Sequence, residues 1–368
     1  MIYLDNAAST AVHPEVVKEM LPYFDVQYGN PSSIHQFGRK AKNAIQKARK
    51  QVAALIDAEP DEILFTSGGT ESNNTILYGI TKLQGLHPDQ NHIITSSIEH
   101  EAILQPCKKF ENIGIKITYL PVDEHGIVNP DDITNSINPH TVLVSIMFAN
   151  NEVGTIQPIK EISEICKKYQ IPLHTDAVQA VGKVPINVKE LGVDALSISS
   201  HKINGPKGIG ALFIKKGLKI VPYITGGGQE NGLRSGTENV ASIVGFGKAC
   251  EIAKERFNEN ISHFQTLHSS MLSRIVKEIP HVKLNGHPEK RLAHNLNVRF
   301  EGIESKAIIN TVSKKIAISA GSACTTQIVE PSHVLLALGL AEDETHSSIR
   351  IGCGRFNTDE EIAMAADE

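Results

Sequence analysis

Lys202 lies in SSHKINGPKG (199–208), after an apolar run, beside His201 and ahead of a turn rich in Gly and Pro. An amine at a strand end, desolvated and near other positive charge, gives up its proton readily and can form a Schiff base with an aldehyde. A lone loop lysine is more often just solvated, so this reading depends on its companions. Asp176 closes PLHTDA (172–177), and Gln179 follows three residues later. That carboxylate suits a protonated ring nitrogen and the amide a ring oxygen. Asp176 fits a plain helix N-cap equally well. SGGTESNN (67–74) carries Gly69 and Thr70 where a strand should pass into a helix, a place where backbone N–H groups suit a phosphate. No GKS or GKT follows, so it is not a Walker loop, and alone it could be a tight connection.

Further polar residues fall at similar junctions. His100, in SIEHEA, opens an expected helix and could stack on a ring or move a proton near neutral pH. ANNEVG (149–154) puts two amides at a strand end, of which Asn151 is the better cofactor or substrate contact. GGGQENGLRSGTENV (226–240) is too polar and glycine-rich for a core and reads as a functional loop with Arg234 and Thr237. AGSACTT (320–326) sets Cys324 among small residues in a loop, where a thiolate can react. SSIRIGCGRFNT (347–358) supplies Arg350, whose fork suits a carboxylate, and Cys353, which reads as structural.

The elements that position these residues alternate. EILFT (62–66), HIITS (92–96), KITYL (116–120), TVLVSIMFA (141–149), PLHTDA, ALSIS (195–199) and GALFI (210–214) read as strands separated by amphipathic stretches. One of these, PIKEISEICKKY, is expected as a helix with Pro in its first turn. Strands alternating with helices imply an α/β fold with a mainly parallel sheet, and ligands bind beyond the carboxyl ends of such strands. Apolar residues from Phe246 to Ile275 recur at spacings of three and four, which predicts one long helix leading to a smaller α+β domain. The expected division is 14–250 for the large cofactor-binding domain, with 1–13 and 251–368 forming the small domain.

The chain has 368 residues, 40% hydrophobic and 21% charged, with a formal net charge of −5. That balance argues against nucleic acid as a direct ligand. No run of 18 apolar residues suggests a membrane span, and MIYLDNAAST lacks a secretory pattern. Five cysteines without CxxC spacing argue against a disulfide framework or a metal site, and favour a reducing cytoplasm.

Together, YLDNAAST (3–10), YGNPSSIHQFG (28–38), FTSGGTESNN, EH (99–100), ANNEVG, HTDAVQ (174–179), SSHKINGPKG, GGGQENGLRSGT, GSACTT and SSIRIGCGR run in order from end to end. In this combination the chain resembles the cysteine desulfurase family, within the class V aminotransferase-like, fold-type I pyridoxal-phosphate enzymes. The resemblance implies pyridoxal 5'-phosphate bound covalently to Lys202, with Asp176 on the ring nitrogen and Gln179 on the ring oxygen. It implies Gly69, Thr70, Ser199 and His201 around the phosphate, and Thr237 on the phosphate of a neighbouring subunit in a homodimer. It also implies His100 over the ring assisting proton transfer, Asn151 touching cofactor and substrate, and Arg350 on the substrate carboxylate. Cys324 would take the sulfur of L-cysteine as a persulfide, leaving alanine, and its loop would swing toward an acceptor protein. The residues after Cys324, TTQIVEPSHVLLALGL, resemble the branch with an extended catalytic loop.

Two other readings compete. An aminotransferase or selenocysteine lyase of the same fold would keep most of these residues, but an aminotransferase has no need of Cys324. A catalytically inactive sulfur-relay or scaffold subunit would have no need of Lys202.

Overall fold

A computed structural model describes residues 1–83, 85, 91–321 and 330–368. Cys324 lies outside the described residues. The chain opens with a short strand, β1 (Ile2–Tyr3), far from the strands that follow in sequence. Strands β2 (Ile63–Thr66), β3 (His92–Ser96), β4 (Lys116–Leu120), β5 (Thr141–Ser145), β6 (Leu173–Asp176), β7 (Ala195–Ser199) and β8 (Gly210–Ile214) form one seven-stranded sheet. Its order is β2-β8-β7-β6-β5-β3-β4. All neighbours run parallel except β8, which is antiparallel to both β2 and β7. Strands β2, β3, β6, β7 and β8 are buried at every position, so neither face of these strands meets solvent.

Helices cover both faces. α1 (Gln36–Leu55) buries Ala41, Ile45, Ala48 and Val52, spaced four, three and four apart. It packs against α5 (Val240–Glu255), where a Cβ on Gly247 would stand 2.6 Å from Ala48 Cα, so the two backbones meet only because that position is bare. On the way the chain forms α2 (Gly69–Leu83), α3 (Glu101–Glu111) and α4 (Ile159–Tyr169). Beyond α5 comes α6 (Phe257–Glu278), then the antiparallel strands β9 (Val282–Leu284), β10 (Asn295–Phe300) and β12 (Ser348–Gly352). β11 (Ile316–Ala317) pairs in parallel with β1, which brings the two ends of the chain together. Leu4, Leu267, Met271, Leu296, Val298, Ile349 and Ile351 form a separate apolar core here.

Three expectations about elements need correction. The long helix breaks at Arg256, whose φ of −101° and ψ of 21° separate α5 from α6. The buried stripe jumps at that point from Ala253 to Asn260, and Phe257 and Ile261 are only half-buried. Pattern counting could not see the break, because the apolar spacing carries across it. Strand β5 ends at Ser145, not Ala149; Ile146 and Phe148 still donate to the carbonyls of His174 and Asp176, at 3.1 and 2.9 Å. Pro158 is the N-cap of α4 and so precedes its first turn.

The sheet interior holds a polar cross-link. His174 in β6 is fully buried, with Nδ1 2.9 Å from Ser145 Oγ and Nε2 2.9 Å from Ser197 Oγ, so one ring ties three neighbouring strands. Burial pushes its pKa down to about 3. An unfolded histidine takes up its proton near pH 6.5. Between about 6.5 and 3 the unfolded chain therefore binds a proton that the folded one refuses, and stability falls as pH falls. The stability-against-pH slope of wild type in that window should exceed that of His174→Asn by up to about 1.4 kcal/mol per pH unit. Denaturant titrations at a series of pH values check this, and equal slopes would show that His174 takes up its proton in the fold.

Candidate active site

The carboxyl ends of β6 and β7 deliver Asp176, Ser199, and then His201 and Lys202 to one cavity of about 280 Å³. The start of α2 adds Gly69 and Thr70, and the N-cap of α3 adds His100. Asn151, Gln179 and Arg350 complete the set, so ten of the expected residues share one pocket. Thr237 does not line it. That residue is exposed beside a second cavity of about 250 Å³ with Ser67, Arg234 and Gly236.

Lys202 Nζ donates to the carbonyl oxygens of Ala7 and Ala8, at 2.5 and 2.9 Å. The N-terminal segment is thus a wall of the site. Thr10 reinforces it, its amide and hydroxyl both donating to His201 O, at 3.0 and 2.8 Å. Asp176 accepts from Asn73 Nδ2 at 2.6 Å and from the Val178 amide at 2.9 Å. The second contact closes a turn in place of the expected helix cap, because no helix follows β6 here, and the first leaves the carboxylate against the pocket. Gln179 Nε2 donates to Ala7 O at 2.9 Å.

Burial sets the electrostatics. His201 is pushed down to about 4, first by burial and then by Lys202, Lys207 and Lys183, so it is neutral at ordinary pH. Lys183 is drawn down to about 7, by burial and then by Lys202. His100 is lowered by burial, against the pull of Asp176. Its Nδ1 accepts from the Ala102 amide at 3.0 Å, which leaves the ring proton on Nε2. Arg350 is 2% exposed; it donates to Asn151 O and to Asp5 Oδ1, each at 3.0 Å, while its Nε has no protein partner.

Sequence reading missed four participants. Asn73 orients Asp176 from one turn into α2. Ala7 and Ala8 act through carbonyls, for which side-chain type gives no signal; only the YLDNAAST match marked the segment. Glu99 is fully buried beside His100, and burial raises its carboxyl to about 8. Its Oε1 accepts from Ser96 Oγ at 2.7 Å and from the Met147 amide at 2.8 Å. The EH pair marked that position, but only its histidine was given work. Asn150, the other amide of ANNEVG, is committed to Ile98 O and to the amides of Glu152 and Val153. That leaves Asn151 to face the pocket, as expected.

A ring with a phosphate arm suits this cavity. Gln179 Oε1 and Asn73 Oδ1 are buried with no protein partner, as befits polar atoms around a polar ring. Gly69 must stay bare, because a Cβ there would stand 2.7 Å from Val178 Cγ2, and this keeps the first turn of α2 open to an anion.

Comparison with known proteins agrees. The class-V aminotransferase family model matches residues 2–364. The cysteine desulfurase IscS of Methanosarcina thermophila is 51% identical over 98% of this chain and 89% of its own length. That of Dictyoglomus turgidum is 48% identical over 100% and 93%. Among solved structures, a NifS-like protein superposes with a TM-score of 0.93 at 39% identity, covering 100% of this chain and 97% of its own. SspA in complex with cysteine gives 0.85 at 37%, covering 97% and 100%. Pyridoxal phosphate is the cofactor of these enzymes. The chain belongs to the class-V aminotransferase family, among its cysteine desulfurases.

Proposed function

We propose that this chain removes sulfur from free L-cysteine, leaving L-alanine and a persulfide on Cys324 for an acceptor protein. One observation carries the reading: Lys202, Asp176 and Arg350 line a single cavity in a chain about half identical to cysteine desulfurases. The solved neighbour SspA, in complex with cysteine, supports cysteine as the substrate. We take 14–250 as the cofactor-binding unit, and 1–13 with 251–368 as the unit that presents Cys324.

Asp176 would hold the pyridine nitrogen and Gln179 the ring oxygen, with Gly69, Thr70, Ser199 and His201 around the phosphate. When bound, pyridoxal phosphate supplies an aldehyde that condenses with an amine and a ring that takes up the electrons released by carbon. Lys202 Nζ would hold the aldehyde of that group, and would serve as the base that takes the substrate α-proton and gives it back before alanine leaves. The carbonyls of Ala7 and Ala8 keep Nζ at the pocket wall. Arg350 grips the substrate carboxylate with the donors that Asp5 and Asn151 leave over, among them the unpartnered Nε. Asn151 orients the same substrate. His100 offers Nε2–H to substrate atoms above the ring. The Cys324 thiolate attacks the substrate sulfur: a sulfur–sulfur bond forms, the bond from sulfur to Cβ breaks, and its electron pair stays on carbon, which is then protonated to give alanine.

A homodimer follows from the same reading. Leu21, Phe24, Val26, Tyr28 and Ile34 are 58–90% exposed in one short stretch, and clustered exposed apolar side chains suit a contact surface. Thr237, exposed on its own loop, would serve the phosphate of a second copy. The buried, unpaired state of Cys107, Cys166, Cys250 and Cys353 supports a reducing cytoplasm.

Three outcomes test the reading. Lys202→Ala, purified with added pyridoxal phosphate, should lack the visible absorbance band of wild type and release no sulfide from cysteine; an unchanged band and rate would overturn the role of Lys202. Cys324→Ser should bind cysteine but release under about one hundredth of the wild-type sulfide in the presence of a reductant. Equal release would remove the persulfide step. Phe24→Asp with Ile34→Asp should sediment as a monomer and bind the cofactor more weakly, whereas a dimer that survives both changes places the interface elsewhere.

A further inference from the structure

We propose that Glu71 and Arg234 form a positioning pair for the cofactor phosphate, joining the turn that opens α2 to the loop that carries Thr237. The inference rests on the reading that Gly69 and Thr70 receive the phosphate and that Thr237 reaches the one bound by a second copy. Glu71 stands in the first turn of α2, directly after Thr70. Its Oε2 accepts from the Ser67 amide at 2.9 Å, closing the SGGT turn. Its Oε1 accepts from Arg234 Nε at 2.8 Å, and Oε2 also accepts from Arg234 Nη2 at 3.3 Å. One carboxylate thus holds the α2 turn and a segment 163 residues further along the chain.

The loop is fastened on both sides of Thr237. Glu230 turns inward, its side chain 4% exposed, and accepts from Arg49 Nη1 at 3.0 Å and from the Phe65 amide at 2.9 Å. Arg49 in turn lies over the Phe65 ring, 4.7 Å from its centroid. Glu230, Asn231 and Gly232 have φ values of +47°, +56° and +80°, a left-handed run that folds the chain back toward Glu71. Past Arg234, the Gly236 amide donates to Gln229 Oε1 at 2.8 Å, and Asn239 caps α5. Thr237 sits between those two points, exposed, beside a cavity that Ser67 and Arg234 also line. Ser67 and Thr70 are exposed as well, so the turn that would take the phosphate is open beside the loop.

Charge sets what the pair must do. A helix start attracts anions, and Glu71 already brings one there. Burial raises its carboxyl, but the hydrogen bonds from Arg234 and Ser67 outweigh burial and hold it below the usual carboxylate range. Glu71 is therefore ionised next to Thr70, where a phosphate would arrive. The guanidinium fork matches that charge, so the phosphate would meet a neutral pair and not a second anion. Without Arg234, the Glu71 charge would stand uncompensated and the Thr237 loop would lose an anchor. Without the Glu71 charge, the loop would lose the same anchor but leave no bare anion behind.

The test compares pyridoxal 5'-phosphate with pyridoxal, which lacks the phosphate, in titrations of cofactor-free protein followed by the visible absorbance band. Arg234→Met should weaken pyridoxal phosphate by about tenfold or more and leave pyridoxal unchanged. Adding Glu71→Gln to Arg234→Met should recover about threefold of that loss, because the bare charge is gone. Hydrogen exchange of the cofactor-free protein reads the anchor itself. The amides of Ser235 and Gly236, bonded to Ile224 O and Gln229 Oε1, should exchange about tenfold faster in Arg234→Met and in Glu71→Gln. Equal losses for the two ligands would mark a merely structural role and overturn the proposal. A double variant as weak as Arg234→Met, or wild-type exchange in both single variants, would overturn it too. Thr237→Val that binds pyridoxal phosphate like wild type would remove Thr237 from the phosphate, while the contrast between Arg234→Met and the double variant still decides the pair at the α2 turn. If wild type binds both ligands alike, the phosphate reading fails, and the exchange rates still decide whether the pair anchors the loop.

Discussion

The hydrogen bonds from Lys202 to Ala7 and Ala8 join parts of the chain that local sequence cannot bring together. The amine comes from the far end of β7, and the carbonyls from a segment that enters the molecule through the pairing of β1 with β11. Asp5, in the same segment, engages Arg350 on β12, and Thr10 closes on His201. Within the six residues from Asp5 to Thr10, four therefore touch the Lys202 amine, its neighbouring histidine or the arginine. If that segment left its place, the cavity would lose a wall and Lys202 its acceptors, while the seven-stranded sheet kept its pairing. The site depends on an assembly of chain ends more than on any single element.

Burial then sorts the ionisable groups by role. A desolvated site disfavours charge, so the groups in it are neutral unless something specific opposes the penalty. His201 and His174 are driven far down and serve as hydrogen-bonding rings. Glu99 is driven up to about 8 by burial, with its neighbour Asp176 acting in the same direction. A mostly uncharged Glu99 spares Asp176 a second negative charge close by. Asp176 in turn is supported by an amide side chain and a backbone N–H, which hold the carboxylate without neutralising it. In this way one pocket presents both the Asp176 carboxyl group and the Arg350 guanidinium.

Much of this was legible in the sequence, for a physical reason. Strand ends of a parallel sheet converge on one edge, so polar residues that end apolar runs fall together there; Asp176 and Lys202 were found on that basis, while Ser199 and His201 came with the family resemblance. Glycine before a helix marked Gly69 in the same way. Contacts made by backbone were not legible, because any residue type can supply a carbonyl, and Ala7 and Ala8 look like filler. The buried state of Glu99 was hidden because a glutamate at a helix start reads as solvated. The break between α5 and α6 escaped because Arg256 keeps the apolar spacing while its backbone leaves the helix.

The turn from Asn150 to Val153 carries this logic furthest. Asn150 uses its side chain to fix the backbone, which frees Asn151 to face the pocket and aims Glu152 away from it. The peptide between Asn151 and Glu152 joins what each residue holds: Asn151 O accepts from Arg350, and Glu152 Oε2 accepts from Ser332 Oγ. A displacement of that peptide would therefore shift Arg350 and the helix start at Ser332 together, so the pocket wall and the C-terminal part of the chain share one point of attachment.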